Sequence, residues 1–119
     1  MRGREMVAPD WMAVESIYAE GIADGEATFE VATPSWEVFD TSRIVRPRLV
    51  AVDSEGVVHG WAAASPVSSR PAYRGVIEHS VYVRRDARGT GIGRLLLAAF
   101  VDAADEAGYW TIQSSIFPE

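Results

Sequence analysis

The sequence contains no cysteine and no lysine, and it has only two histidines, His59 and His79. Without cysteine the chain forms no disulfide and offers no thiolate ligand, and two histidines are too few for a histidine-rich metal centre. We therefore expect no bound metal. No apolar run approaches the length of a membrane span, so no membrane partner is expected either. Charged residues make up 24% of the chain, which is ordinary for a soluble globular protein.

The length of 119 residues suits one domain with one core, and we assign residues 1–119 to a single domain. The first six residues, Met-Arg-Gly-Arg-Glu-Met, lack the hydrophobic region of a secretion signal. Together with the absence of cysteine, this predicts a cytoplasmic protein.

The positive charge is concentrated in one segment. All eleven basic residues are arginine and the net charge is −6, which argues against nucleic acid as a partner. Residues 70–94 hold six arginines against two acidic residues, a charge of +4, while the remainder carries −10. Because guanidinium groups form forked hydrogen bonds with phosphate oxygens, a small polyanionic ligand suits this segment. A solvated loop is the alternative, and it stays open for Arg84 and Arg85.

Hydrophobic periodicity and turn residues predict a strand, two helices, a hairpin, a strand, a helix and a final strand. The predicted strands are 5–8, an antiparallel pair over 48–52 and 57–64, 77–83 and 109–117. The first predicted helix opens at Pro9-Asp10 and is interrupted over 21–25, and the second spans 35–44 and is capped at Thr33-Pro34. The third spans 95–107, and its inward stripe consists of Leu95, Leu96, Ala99, Phe100, Ala103 and Ala107. This order predicts a mixed sheet with helices on its faces.

The turn before the last helix has an unusual glycine pattern. Gly89, Gly91 and Gly93 stand at alternate positions immediately before that helix. Glycine lets the backbone adopt unusual φ and ψ angles and approach a ligand closely. The first N–H groups of a helix have no intrahelical partner, and this end of the helix is positive. The pattern therefore predicts a phosphate or diphosphate site. The alternative is that the glycines only shape a tight turn.

Two well-known phosphate motifs are absent. The pattern G-x-G-x-x-G would need glycine where Arg94 stands, and G-x-x-x-x-G-K-[ST] does not occur. The pattern present is Arg-x-x-Gly-x-Gly, formed by Arg88, Gly91 and Gly93. It resembles the acyl-CoA diphosphate loop of the GNAT superfamily of N-acetyltransferases. The preceding Val-Ile-Glu-His-Ser-Val-Tyr-Val, residues 76–83, resembles the phosphinothricin acetyltransferase-like branch of that superfamily.

The resemblance implies an α/β (α+β) fold with a mixed, mostly antiparallel sheet and helices on both faces. It also implies acetyl-CoA as co-substrate, with its thioester arm between a splayed fourth and fifth strand. A backbone N–H near the end of the fourth strand is then expected to polarise the thioester carbonyl. The implied cofactor-binding residues are Val81, Tyr82, Val83, Arg88, Gly89, Thr90, Gly91, Ile92, Gly93 and Arg94.

Glu78 is the candidate general base. Acetyl transfer to an amine requires that the amine be neutral, and Glu78 matches the glutamate given this role in the branch. On a half-buried central strand, desolvation is expected to raise the pKa of the Glu78 carboxyl. An ion pair with Arg70 or Arg74 is the alternative role.

Strand alternation separates the side chains of this strand into two sets. One face is predicted to carry Glu78, Ser80 and Tyr82, and the other Ile77, His79, Val81 and Val83. His79 is therefore expected to be a hydrogen-bonded core histidine and not a base. No partner can be named for His59, which lies on the hairpin.

The resemblance also implies where the acceptor binds. The branch acetylates small amino-acid-like amines such as phosphinothricin, methionine sulfoximine and methionine sulfone. The matching positions here are Phe29, Arg70, Tyr73 and Arg74. An arginine at this site is suited to hold an acceptor carboxylate with two hydrogen bonds. Phe29 and Tyr73 are suited to wall the pocket, with core packing as the alternative for each.

Members of the family normally continue beyond a segment like residues 115–119, with an asparagine, a helix and two more strands. We expect this chain to lack that helix and those strands. It is then either a shortened fragment or a homodimer in which the partner covers the last strand; in one form of this dimer the two copies exchange elements. The function expected first is N-acetylation of a small amino-acid-like amine. The alternative is a truncated CoA-binding or structural fragment without turnover. Acetylation of protein N-termini or lysines is disfavoured.

Overall fold

The computed structural model of the protein describes residues 1–23, 33–67 and 70–114. In these ranges the chain forms five strands and three α-helices. They are β1 Arg2–Glu5, α1 Trp11–Ala23, α2 Trp36–Ser42, β2 Leu49–Val52, β3 Val58–Pro66, β4 Val76–Val83, α3 Ile92–Glu106 and β5 Thr111–Ser114. None of the helices in the described ranges combines the length and apolar character needed to cross a bilayer.

The five strands form one sheet in the order β1-β2-β3-β4-β5. The pairs β1/β2, β2/β3 and β3/β4 are antiparallel, and β4/β5 is parallel. The predicted fold class, a mixed and mostly antiparallel sheet with helices on both faces, is confirmed. The predicted hairpin is confirmed as β2 and β3. The last predicted strand is confirmed over β5, and residues 115–117 lie outside the described part of the chain.

Several predicted boundaries were wrong, each for a local reason. The first strand ends at Glu5 because residues 8–10 form a 3-10 turn that leads into α1. Helix α1 continues through Gly21, which is buried against the core and does not interrupt it. Helix α2 is capped by Ser35 and not by Thr33, since the Ser35 hydroxyl accepts a hydrogen bond of 3.2 Å from the Val38 N–H.

The sheet carries an apolar layer on each face. The layer under α1 and α2 is built from Met6, Val14, Ile17, Tyr18, Phe39, Val50, Val52, Val58, Trp61, Ala63 and Tyr82. The layer under α3 is built from Ile44, Ala51, Ala62, Ala64, Ile77, Ala87, Ile92, Leu96, Phe100 and Ala104. The predicted inward stripe of α3 is confirmed at Leu96 and Phe100, which are buried. Ala107 was predicted in the same stripe but is exposed. Helix α3 buries Ala104 because Phe100 and Ala104 are one turn apart on the same face.

Gly60 in β3 brings α3 close to the sheet. A Cβ at this position would lie 2.9 Å from the backbone oxygen of Tyr82 and 3.0 Å from Leu96 Cδ1. It would also lie 3.3 Å from Ile92 Cγ2. The first turn of α3 therefore packs directly on the β3 backbone, and no other residue fits without movement.

His59 has a partner that the sequence did not reveal. Its Nε2 lies 2.9 Å from Asp53 Oδ2 across the β2–β3 hairpin. The His59 ring and the backbone N–H groups of Val57 and Glu55 lower the pKa of Asp53 to about 2. The pair therefore belongs to the hairpin turn.

Asp10 joins β1 to the start of α1. Its carboxylate accepts two hydrogen bonds from the Arg4 guanidinium, at 2.8 and 2.9 Å, and one of 2.8 Å from the Val7 N–H. Asp10 is only 8% exposed. The Arg4 hydrogen bonds are the largest cause of a pKa of Asp10 below its ordinary value of 3.8, against an opposing effect of burial.

Asp10→Asn is expected to lower the free energy of unfolding by about 2 kcal/mol at neutral pH, because a charge-assisted network is lost. The folded-state pKa of Asp10 is lowered, so this stabilisation is present above the ordinary value of 3.8 and is lost as the pH falls through the folded value. Urea unfolding of both chains from neutral to acidic pH measures the difference, with exposed Asp102→Asn as control. A difference that does not shrink in acid would contradict this origin.

Candidate active site

The chain between β4 and α3 forms an open glycine loop. After a 3-10 turn over Arg85–Ala87, Gly89 and Gly91 adopt left-handed φ angles of 84° and 89°. A Cβ at either glycine would meet nothing within 4 Å. Gly91 is the residue before α3, and no side chain caps this helix end. The first intrahelical bond runs from Leu95 N–H to the Gly91 oxygen, at 3.0 Å, so the N–H groups before it have no acceptor within the helix.

Contacts within the loop fix its shape. The Thr90 hydroxyl donates to the Ala87 oxygen at 2.5 Å, and Arg88 Nε donates to the Val83 oxygen at 3.2 Å. Arg88 is thereby folded back against the end of β4. Arg94 is exposed in the first turn of α3. The loop therefore keeps its glycine surface clear of its own side chains.

Glu20 on α1 holds the turn that precedes this loop. Its carboxylate accepts a hydrogen bond of 2.8 Å from the backbone N–H of Arg85. The two residues are 65 positions apart, and no local pattern marks Glu20. Sequence reasoning therefore missed it.

The backbone of β4 presents alternate residues to two neighbours. Hydrogen bonds from Arg84 N–H to the His59 oxygen, 2.8 Å, and from Val67 N–H to the Val76 oxygen, 3.3 Å, mark the hydrogen-bonded pairs with β3. In an antiparallel ladder such pairs alternate with non-hydrogen-bonded ones. Even-numbered residues of β4 therefore pair with β3, and the backbone groups of odd-numbered residues face the β5 side.

The described pairing between β4 and β5 comprises four residues of each strand. It runs from Val76 opposite Thr111 to His79 opposite Ser114, and residues 115–119 lie outside the described part of the chain. Val81 and Val83 are the next odd-numbered residues of β4. The carbonyl of Val83 accepts the Arg88 bond. The backbone of Val81 faces the same side, beyond the last described pair.

The side chains of β4 follow the predicted alternation. Tyr82 belongs to the layer under α1 and α2, and Ile77 to the layer under α3. The ring of His79 lies 6.0 Å from that of Phe100 on α3, so His79 faces away from Glu78. The prediction that the two side chains lie on opposite faces of the sheet is confirmed.

Glu78 is exposed, which corrects the expectation of a half-buried carboxylate. It lies opposite Ser65 in β3 and Gln113 in β5. Among the described residues, the apolar layer on this face includes Tyr82 of β4 and no residue of β4 nearer to Glu78. No ion pair between Glu78 and Arg74 occurs among the described residues.

The predicted acceptor residues are described only in part. Arg70 and Arg74 flank the 3-10 turn Pro71–Tyr73 immediately before β4, and both are exposed. Phe29 lies outside the described residues, and so does the side chain of Tyr73. Within the described ranges no three acidic or histidine side chains gather to hold a metal ion.

Fold and loop together define a class: an α+β protein with a mixed sheet and a glycine loop suited to a diphosphate at a helix end. The acetyltransferase (GNAT) family model matches residues 11–116, and the chain belongs to this family.

Relatives agree with the predicted branch. The chain is 37% identical over 110 residues to the phosphinothricin N-acetyltransferase of Alcaligenes faecalis, an alignment covering 85% of this chain and 53% of that protein. It is 34% identical over 121 residues to the L-methionine sulfoximine/L-methionine sulfone acetyltransferase of Pseudomonas aeruginosa, covering 95% and 69%.

A solved structure has the same fold. The GNAT superfamily phosphinothricin acetyltransferase from Sinorhizobium meliloti, in complex with AcCoA, matches with a TM-score of 0.83 at 35% identity. The match covers 94% of this chain and 63% of that one. The predicted resemblance to the phosphinothricin acetyltransferase-like branch is confirmed. The chain spans between 53% and 69% of the length of these three proteins.

Proposed function

We propose that this chain carries the acetyl-CoA site of an N-acetyltransferase that acetylates the amine of a small amino-acid-like substrate. The observation that carries the proposal is the open glycine loop at the start of α3, directly after β4. The acceptor class is supported by the relatives, which are named for phosphinothricin and for methionine sulfoximine and sulfone. The resemblance covers almost the whole of this chain.

The proposed cofactor contacts use mainly backbone groups. We assign the diphosphate to the loop from Arg88 to Arg94, through the N–H groups around Gly89, Thr90, Gly91, Ile92 and Gly93 and through the guanidinium groups of Arg88 and Arg94. The acyl-bearing arm is assigned to the backbone of Val81 and Val83, which faces the β5 side. Tyr82, between these two residues, is assigned to the same stretch of the cofactor site. Its ring stacks on Trp61 with centroids 4.8 Å apart. When bound, acetyl-CoA supplies the acetyl group as a reactive thioester.

Glu78 is proposed to remove a proton from the acceptor amine, directly or through a water molecule. A neutral amine has the lone pair that acyl transfer requires. The exposure of Glu78 supports this role, since an acceptor in solution can approach the carboxylate. Arg70 and Arg74, just before β4, are proposed to bind the acceptor, and Phe29 and Tyr73 to wall its pocket.

We further propose that residues 1–119 form a single domain that works in the cytoplasm without metal or nucleic acid. The outer edge of β5 is proposed to be covered by a second copy in a homodimer. Size-exclusion chromatography with light scattering tests this assembly. A monomer at micromolar concentration would contradict it.

Thiol release from acetyl-CoA in the presence of methionine sulfone or phosphinothricin tests the activity. Release that depends on the acceptor is expected. A calorimetric heat with acetyl-CoA and no thiol release would favour a CoA-binding fragment. The absence of both signals would refute the assignment of the loop.

Gly91→Ala is expected to weaken acetyl-CoA binding about tenfold, because alanine at a positive φ strains the loop and its methyl enters the space assigned to the diphosphate. Gly56→Ala is a matched control. Gly56 has a φ of 81°, and its added Cβ would also meet nothing within 4 Å, but it lies in the β2–β3 turn. Calorimetric titration with acetyl-CoA measures both. Equal losses of acetyl-CoA affinity in Gly91→Ala and Gly56→Ala would mean that general backbone strain causes the effect.

A further inference from the structure

The turn that leads into the glycine loop is capped by a helix that is remote in the sequence. The 3-10 turn Arg85–Ala87 begins with the Arg85 N–H, and an N–H at this position has no acceptor within its own turn. Arg84, the residue before the turn, supplies no side-chain hydrogen bond to it. The carboxylate of Asp86, within the turn, accepts a hydrogen bond of 2.8 Å from the Arg84 guanidinium. The acceptor for the Arg85 N–H is the Glu20 carboxylate on α1, at 2.8 Å.

Helix α1 is a firm support for this hydrogen bond. Tyr18, two residues before Glu20, is buried, and its ring lies 5.1 Å from the ring of Tyr82 near the end of β4. Ile17 of α1 is buried in the same apolar layer. Packing therefore fixes α1 relative to the end of β4, and Glu20 itself is half-buried. The carboxylate is held beside the Arg85 N–H by the core and not by a flexible surface contact.

Hydrogen bonds connect the turn to the glycine loop. The Ala87 N–H donates to the Arg84 oxygen at 2.9 Å, and the Ala87 oxygen accepts the Thr90 hydroxyl. Ala87 is also buried in the layer under α3. Thr90 lies between Gly89 and Gly91, the two loop glycines with positive φ angles. A displacement of the turn would therefore displace the loop.

We propose that Glu20 is a positioning residue for acetyl-CoA. By accepting the Arg85 N–H it holds the glycine loop in the shape that receives the diphosphate. This inference rests on the proposed function and adds to it a residue that lies outside the loop. Because a carboxylate repels an anionic ligand, the contribution of Glu20 to binding is its hydrogen bond and not its charge.

The test compares Glu20→Ala with Glu20→Gln in calorimetric titrations with acetyl-CoA. Both variants lose the charge, but glutamine keeps an oxygen that accepts a hydrogen bond. Glu20→Ala is expected to raise the Kd about threefold to tenfold, because a hydrogen bond that orders the loop is lost. Glu20→Gln is expected to bind at least as tightly as the wild type. A Kd for Glu20→Ala equal to or below that of Glu20→Gln would overturn the inference.

Turnover measurements separate positioning from a general loss of structure. In Glu20→Ala the KM for acetyl-CoA is expected to rise together with the Kd. The kcat and the KM for L-methionine sulfone are expected to stay close to the wild type, because the lost contact supports binding of the diphosphate and not the chemical step. A fall in kcat with an unchanged KM for acetyl-CoA would contradict the positioning role.

Glu15→Ala is the matched control. Glu15 is also a half-buried glutamate of α1 that accepts a hydrogen bond from a distant segment, at 2.9 Å from the Thr33 hydroxyl. Its replacement is expected to leave the acetyl-CoA affinity unchanged. Equal losses of affinity in Glu15→Ala and Glu20→Ala would overturn the inference, since any damage to α1 would then be sufficient.

A wild-type chain that gives no heat with acetyl-CoA refutes the proposed function, and NMR of the unliganded chain then decides whether Glu20 shapes the loop. In Glu20→Ala the amide resonances are expected to shift at Arg85 and onward through Gly89 and Gly91. In Glu20→Gln they are expected to stay close to the wild type. Shifts that are confined to the neighbours of Arg85, or that are equal in both variants, would overturn the inference.

Discussion

Glu78→Gln is expected to slow acetyl transfer by about 100-fold or more, because a positioned general base contributes on that scale. Glutamine preserves the size of the side chain and its capacity for hydrogen bonds but takes up no proton. Glu78 is exposed on β4, so its replacement removes no buried contact among the described residues, and a loss of this size would reflect the chemistry of the carboxylate. Acceptor-dependent thiol release measures the effect.

The pH dependence distinguishes loss of a base from loss of a binding contact. High pH deprotonates the acceptor amine in solution, so the deficit of Glu78→Gln is expected to shrink as the pH rises. Glu106→Gln, an exposed glutamate at the end of α3, is the control and should match the wild type. Unchanged turnover in Glu78→Gln would dismiss Glu78 as the base.

Gly60→Ala is expected to lower the free energy of unfolding by about 1–3 kcal/mol, the range seen when a packed core is overfilled. The new Cβ would lie 2.9 Å from the Tyr82 backbone oxygen, which is fixed by the β3–β4 ladder and cannot yield. We expect α3 to be pushed outward at Ile92, one residue after Gly91. Acetyl-CoA affinity should therefore fall together with stability.

Gly3→Ala provides the comparison for this variant. Gly3 in β1 also faces α3, but its Cβ would lie 3.7 Å from Ala99 Cβ and 3.9 Å from Leu95 Cδ2, which are ordinary contacts. Gly3→Ala is expected to be neutral or slightly stabilising, because alanine loses less conformational entropy on folding. Urea unfolding measures both variants. Similar stabilities for the two would contradict the close packing inferred at Gly60.

Local signals in the sequence were sufficient for the order of the elements and for the glycine loop, and the family resemblance implied the mostly antiparallel sheet. Alternation along β4 correctly separated Glu78 from His79, and the hairpin followed from β-rich segments around Asp53 to Gly56. The loop was recognisable because alternate glycines before an apolar helix have few other uses. Each of these inferences depends on residues that are close together in the sequence.

Features that depend on distant contacts were missed. Glu20 and Arg85 meet only because α1 packs across the end of β4. The exposure of Glu78 was missed for a related reason. A central strand is buried only where helices cover it, and the sequence does not fix how far the cover extends.

The alternation of backbone groups along β4 separates two kinds of mutation. Proline at Val81 or Val83 would remove an amide directed to the β5 side, whereas most other replacements there would alter only the packing against α3. Changes at Glu78 or Ser80 would alter the opposite surface and leave those amides in position. Acceptor preference and acetyl-CoA affinity are therefore expected to be independently adjustable in this small domain, which would allow new amine specificities to be selected without rebuilding the cofactor site.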